Sequence, residues 1–196
     1  AMDVNYLEQE LGKAFELNWG GSKQVFDNYP EFSYLKGTVF EDMVINAHED
    51  AAIASGVDLE LMEEFETIRY EDQRYRQEMR EVGETYGRQS PQMDSLWVLQ
   101  NEADAINTDR IIEVIDERGY PGKSVVGPGM ASTAFLVIQH ADLEIQEKYL
   151  KTITDAADAG EVNWSSVALL VDRIHTRNDR PQIYGSQVSS DKETGE

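Results

Sequence analysis

Four apolar residues in succession, Phe135-Leu136-Val137-Ile138, run directly into Gln139, His140 and Asp142. A helix that is apolar on every side belongs inside a domain. The polar groups ending this segment are therefore carried inward, where they must find partners. The same pattern recurs elsewhere. At helical spacing, positions 61, 65, 68, 72 and 75 read Leu61, Phe65, Ile68, Asp72 and Tyr75, which sets a carboxylate in a buried stripe, with Arg69 and Arg76 spaced to pair with it. Asp104, Asn107, Ile111 and Ile115 lie along one face of a later helix, polar in its first turn and apolar beyond. In the last helical stretch Ala168, Leu169 and Asp172 share one face, and Leu169, Leu170 and Arg173 share the next.

These stripes sit in a chain that reads as mostly α. A first helix is expected over residues 3–18, with Leu7, Leu11, Ala14 and Phe15 as its stripe and Gly20-Gly21 as its stop. A short helical turn from Ser22 to Asn28 precedes Pro30, and Phe26, Tyr29, Phe32 and Tyr34 are expected to pack in a core. The capping box Thr38-Val-Phe-Glu41 opens a helix through Ala54 that Gly56 ends. Asp58 caps a helix from Leu59 to about Glu81, Tyr86 to Gln92 is a loop, and helix resumes from Met93 to Arg118, ended by Gly119. Lys123 to Gly127 reads as a second loop. A break is expected at His140-Ala-Asp142, where Asp142 can cap a helix from Leu143 to Ala159. Asn163 or Ser165 starts the last helix, through His175. Gln182 to Val188 has strand character and Asp191-Lys-Glu-Thr-Gly195 suits a hairpin turn. The expected fold is a multi-helix domain with a small C-terminal β-hairpin, divided into an N-terminal helical extension (1–57) and a main domain (58–196) packed with it as one unit.

Composition narrows the function classes. With no cysteine there is no disulfide, thiolate metal site or cysteine nucleophile. Thirty-eight acidic residues against 17 basic give a formal charge of −21, which repels phosphate backbones and anionic lipid, so neither nucleic acid nor membrane is an expected partner. No apolar run approaches the roughly 18 residues of a membrane span, and the expected location is cytoplasmic.

His140 is the acid/base candidate, since an imidazole titrates nearest neutrality. Asp72, Asp104 or Asp172 could orient it, as a carboxylate orients a catalytic histidine. Asp142 could join His140 in one pocket if the helix breaks at Ala141. No His-x-x-x-His or comparable spacing assigns a metal, no Gly-x-Ser-x-Gly elbow assigns a serine nucleophile, and no cofactor is identified. His48, among Glu49 and Asp50, reads as a surface residue.

Taken in order, Asp72-Gln73-x-x-Arg76, Asp104-x-x-Asn107, Gly119-Tyr-Pro121 with Gly127, Gln139-His-Ala-Asp142 with Gln146, Asp172-Arg173 and Gln182-x-Tyr-Gly-Ser-Gln187 resemble the signatures of a bacterial domain-of-unknown-function family. The resemblance spans about Glu64 to Gln187, with Ser186 in place of the usual threonine, and transfers no reaction. It adds Gln182, Tyr184 and Gln187 to the candidate site. The reading that fits these groups is an acid/base, hydrolase-like enzyme acting on a small polar molecule or peptide. His140, Asp72 and Asp172 are its catalytic candidates. Arg76, Asp104, Asn107, Gln139, Asp142, Arg173, Gln182, Tyr184 and Gln187 are its substrate-binding candidates, with Arg76 and Arg173 as anion clamps. The alternatives are a non-catalytic acidic interaction module, immunity- or adaptor-like, and a purely structural polar core.

Overall fold

The computed structural model describes residue 34 and residues 36–187, and every described element is helical. The elements are α1 (Val39–Ala54), α2 (Leu59–Tyr86), α3 (Pro91–Arg118), α4 (Lys123–Met130), α5 (Thr133–His140), α6 (Leu143–Asp158) and α7 (Trp164–Arg177). No described helix is long and apolar enough to cross a membrane. The helix and turn expected before Pro30, and the hairpin turn at 191–195, lie outside the described residues, as does the side chain of His48.

The chain divides into two compact units. One comprises the described residues through Tyr70 with Pro121–Thr133; the other comprises Glu71–Tyr120 with Ala134 onward. In the first unit, polar side chains meet backbone N–H groups at the start of α1. Thr38 Oγ1 accepts from the Phe40 N–H at 3.3 Å, and the Glu41 carboxylate accepts from the Gly37 N–H. Asp58 Oδ1 accepts from the Leu61 N–H at 3.1 Å and so caps α2. Leu61, Met62, Phe65 and Ile68 of α2 are buried, as are Val126, Met130 and Ala131. Burying a side chain the size of Phe65 contributes about 1.5–3 kcal/mol. Of residues 123–127, expected as a loop, 123–126 are helical, and the Asp58 N–H donates to Val125 O at 2.8 Å. The chain kinks at Gly127, whose φ of 76° suits glycine, and Pro128 opens the following turn where no N–H is needed. Arg69, expected beside Asp72, instead donates to Gly129 O and Ser132 Oγ.

In the second unit, α2 runs past Glu81 to Tyr86. Ser90 Oγ caps α3 by accepting from Met93 N–H, and Pro91 occupies its first turn. The core collects Ile111, Val114 and Ile115 of α3, Phe135, Val137 and Ile138 of α5, and Ile153, Val167, Leu170 and Ile174 from α6 and α7, which pack together. Tyr149 of α6 buries its ring and donates its hydroxyl to Asp116 Oδ1 of α3 at 2.8 Å.

Residues 182–187 form bends rather than the expected strand, because their backbone donors are drawn to a single carboxylate. Ile183 and Tyr184 N–H donate to Asp172 Oδ1 at 2.7 and 2.9 Å, and Ser186 N–H donates to Oδ2 at 2.8 Å. Three donors converging on one acceptor group leave no ladder for a strand. Gly185, with φ of 69°, supplies the turn that this convergence requires.

Candidate functional site

The expected break after His140 is present, and its chemistry explains the polar residues around it. Ending α5 here orphans carbonyls that are removed from water. Fully buried Gln146 reaches back from α6, donating Nε2 to Gln139 O at 2.7 Å and to Ala141 O at 3.1 Å. Arg173 Nη1 donates to the same Gln139 O at 3.2 Å, and Arg177 Nη1 donates to Ala141 O at 2.7 Å. Asp142 takes the N-cap backbone position of α6, but its side chain makes no capping bond and is exposed. It does not join His140.

The partner of His140 is Asp72. Nδ1 of His140 lies 2.9 Å from Asp72 Oδ1, with the carboxylate side chain 1% exposed and the imidazole 14% exposed. A carboxylate oxygen accepts, so Nδ1 is the protonated nitrogen and Nε2 carries the lone pair of the neutral ring. No described residue hydrogen-bonds to Nε2. Asp72 Oδ2 is held from the other side by Gln73 Nε2 at 2.6 Å, with Arg76 Nε at 3.9 Å. Arg76 also donates Nε to Asp72 O at 3.1 Å and sets Nη2 between the two oxygens of Asp104, at 2.7 and 2.6 Å. The guanidinium is therefore committed to Asp104 rather than held open as an anion clamp.

Gln100 is the member of this cluster that neither the sequence stripes nor the family signatures named. It is fully buried and donates Nε2 to Asp72 O at 3.2 Å and to Asp104 Oδ1 at 2.7 Å, while its buried Oε1 has no hydrogen-bond partner. The available signal was its spacing: 100, 104, 107 and 111 continue one face of α3. Asn107 is buried one turn beyond Asp104.

Asp172, proposed from sequence as a catalytic carboxylate, is fully buried and anchors the 182–187 segment. Burial pushes its carboxyl upward, but the Tyr184, Ser186 and Ile183 donors outweigh that and bring it down to about 2. Gln182 and Gln187 close the segment on itself, with Gln182 Nε2 donating to Gln187 O and Gln187 N–H donating to Gln182 Oε1, both at 2.8 Å. Gln187 Nε2 reaches Leu169 O. The Tyr184 side chain is 60% exposed, and only its backbone N–H joins this arrangement. Gln139 contributes its carbonyl, and its side chain has no hydrogen-bond partner among the described residues.

The candidates thus separate into two groups. His140, Asp72, Gln73, Arg76, Gln100 and Asp104 form one connected cluster, whereas Asp172, Gln182, Tyr184 and Gln187 shape a loop against α7. In the first group the ligand atoms of Asp72, Asp104 and His140 lie within 4.8 Å of one another, a spacing that could hold a divalent cation. The Arg76 guanidinium already neutralises the Asp104 side of that trio.

Neither the comparison with curated proteins nor that with solved structures gives a match. A family model does match, over residues 59–193, a span containing the whole cluster and the loop anchored on Asp172. The chain belongs to the family of unknown function DUF6624.

Proposed function

We propose that the chain is an acid/base enzyme, hydrolase-like, acting on a small polar or peptide substrate through His140. The single observation that carries this reading is the buried Asp72 carboxylate on Nδ1 of a partly exposed imidazole. Asp72 fixes the ring's orientation and tautomer and steadies the positive charge that develops when Nε2 takes a proton. Nε2 then removes a proton from water or a substrate hydroxyl and returns it to the leaving group. Gln73, Arg76 and Gln100 hold the carboxylates in place and touch no reacting atom.

A metal-assisted reaction is the second reading, favoured by the proximity of Asp72, Asp104 and His140. A chelator separates the two, because the acid/base reading predicts turnover that survives chelation. The main test is a panel of chromogenic esters, amides and phosphate esters given to the wild type and to H140A. Removing a general base is expected to cost about 10²–10⁴ in rate while the thermal midpoint and helical signal stay close to those of the wild type. Turnover by the wild type that H140A retains contradicts the proposal.

A further inference from the structure

Arg173 and Arg177, one helical turn apart on α7, bracket the backbone of residue 140 by donating to Gln139 O and Ala141 O. That task does not need charge. The neutral amide of Gln146 already donates to the same two carbonyls, and each arginine spends one of its five N–H donors there. The C-terminal end of eight-residue α5 offers only a partial negative charge in return.

Neither arginine forms an ion pair with a carboxylate among the described residues, although the chain holds 38 acids against 17 bases. Arg76, in contrast, is matched by Asp104. Arg173 Nε is buried and has no hydrogen-bond partner, a costly arrangement for a charged donor. Burial, then the positive charges of Arg177 and Arg76, hold the Arg173 guanidinium below its ordinary pKa, and of these three cations only Arg76 has a carboxylate paired with it among the described residues.

We propose that Arg173 and Arg177 form an oxyanion-binding subsite beside His140, taking a carboxylate or phosphate group of the substrate. Calling the bound anion a substrate rests on the acid/base reading of His140; the binding itself does not. Guanidinium groups suit planar or tetrahedral oxyanions because their donors form a fixed fork.

The test is titration of the full chain with inorganic phosphate and, separately, with acetate at constant ionic strength, following arginine Nε–H and histidine ring signals by NMR. The expected result is a saturable shift of the Arg173 Nε–H signal with one anion or both. The responding anion then shows whether the subsite takes phosphoryl or carboxylate groups. R177Q, at an exposed position, is expected to weaken that binding by about tenfold or more with an unchanged thermal midpoint. A shift that a matched chloride series reproduces, or no saturable shift with either anion in the wild type, overturns the proposal. Anion binding that persists while H140A keeps full turnover rejects the acid/base reading and leaves the subsite standing.

Discussion

Asp72 was legible because it interrupts an apolar stripe at helical spacing, so its burial followed from Leu61, Phe65 and Ile68 on the same face. Gln100 was not legible, and the reason is physical. It follows Trp97, Val98 and Leu99, three exposed apolar residues that mask the period of α3 where the helix is most polar inside. Arg69 and Arg76 looked equivalent around Asp72, yet only Arg76 is close to it, because carbonyl and hydroxyl acceptors at Gly129 and Ser132 take Arg69. Gln100 joins the backbone of Asp72 to the carboxylate of Asp104, so its loss removes two hydrogen bonds, one of them to a charged group, from a fully buried side chain. Q100A is expected to destabilise the fold by about 1–3 kcal/mol, measured by urea unfolding. A midpoint equal to that of the wild type would show that these bonds carry no net stability.

At the scale of elements, the instructive cases are the break after α5 and the segment after α7. The break was readable from Ala141-Asp142, but capping by the Asp142 side chain was not the means; Gln146, Arg173 and Arg177 satisfy the carbonyls from other helices. Alternation over 182–188 suggested a strand, and tertiary demand from one carboxylate overrode it. This anchor has a pH signature. The folded carboxyl of Asp172 titrates at about 2 against 3.8 unperturbed. Its contribution is therefore complete above the unfolded value and is lost as pH falls through about 4 toward about 2. Acid unfolding of the wild type and D172N is expected to show a stability gap near neutrality that narrows over that interval. A gap constant across it would mean that the Asp172 charge does not hold the loop.

For the whole molecule, the mostly helical class followed from the stripes and caps, while the division into two units left no mark on them: α2 is one unbroken helix that contributes to both. The charge of −21 opposes compactness by self-repulsion, and salt screens it. The thermal midpoint is accordingly expected to rise as sodium chloride is added from low ionic strength, observable by calorimetry. A midpoint that falls would mean that attractive surface pairs outweigh the net repulsion. An interaction module would instead show its salt dependence in partner binding and would be indifferent to the loss of His140.

The pairing of the imidazole with the buried carboxylate is tested most directly by the tautomer of His140, read from long-range proton–nitrogen correlation in the neutral ring. A proton on Nδ1 that moves or exchanges freely in D72N is the expected result. A wild-type ring protonated at Nε2 instead would contradict it.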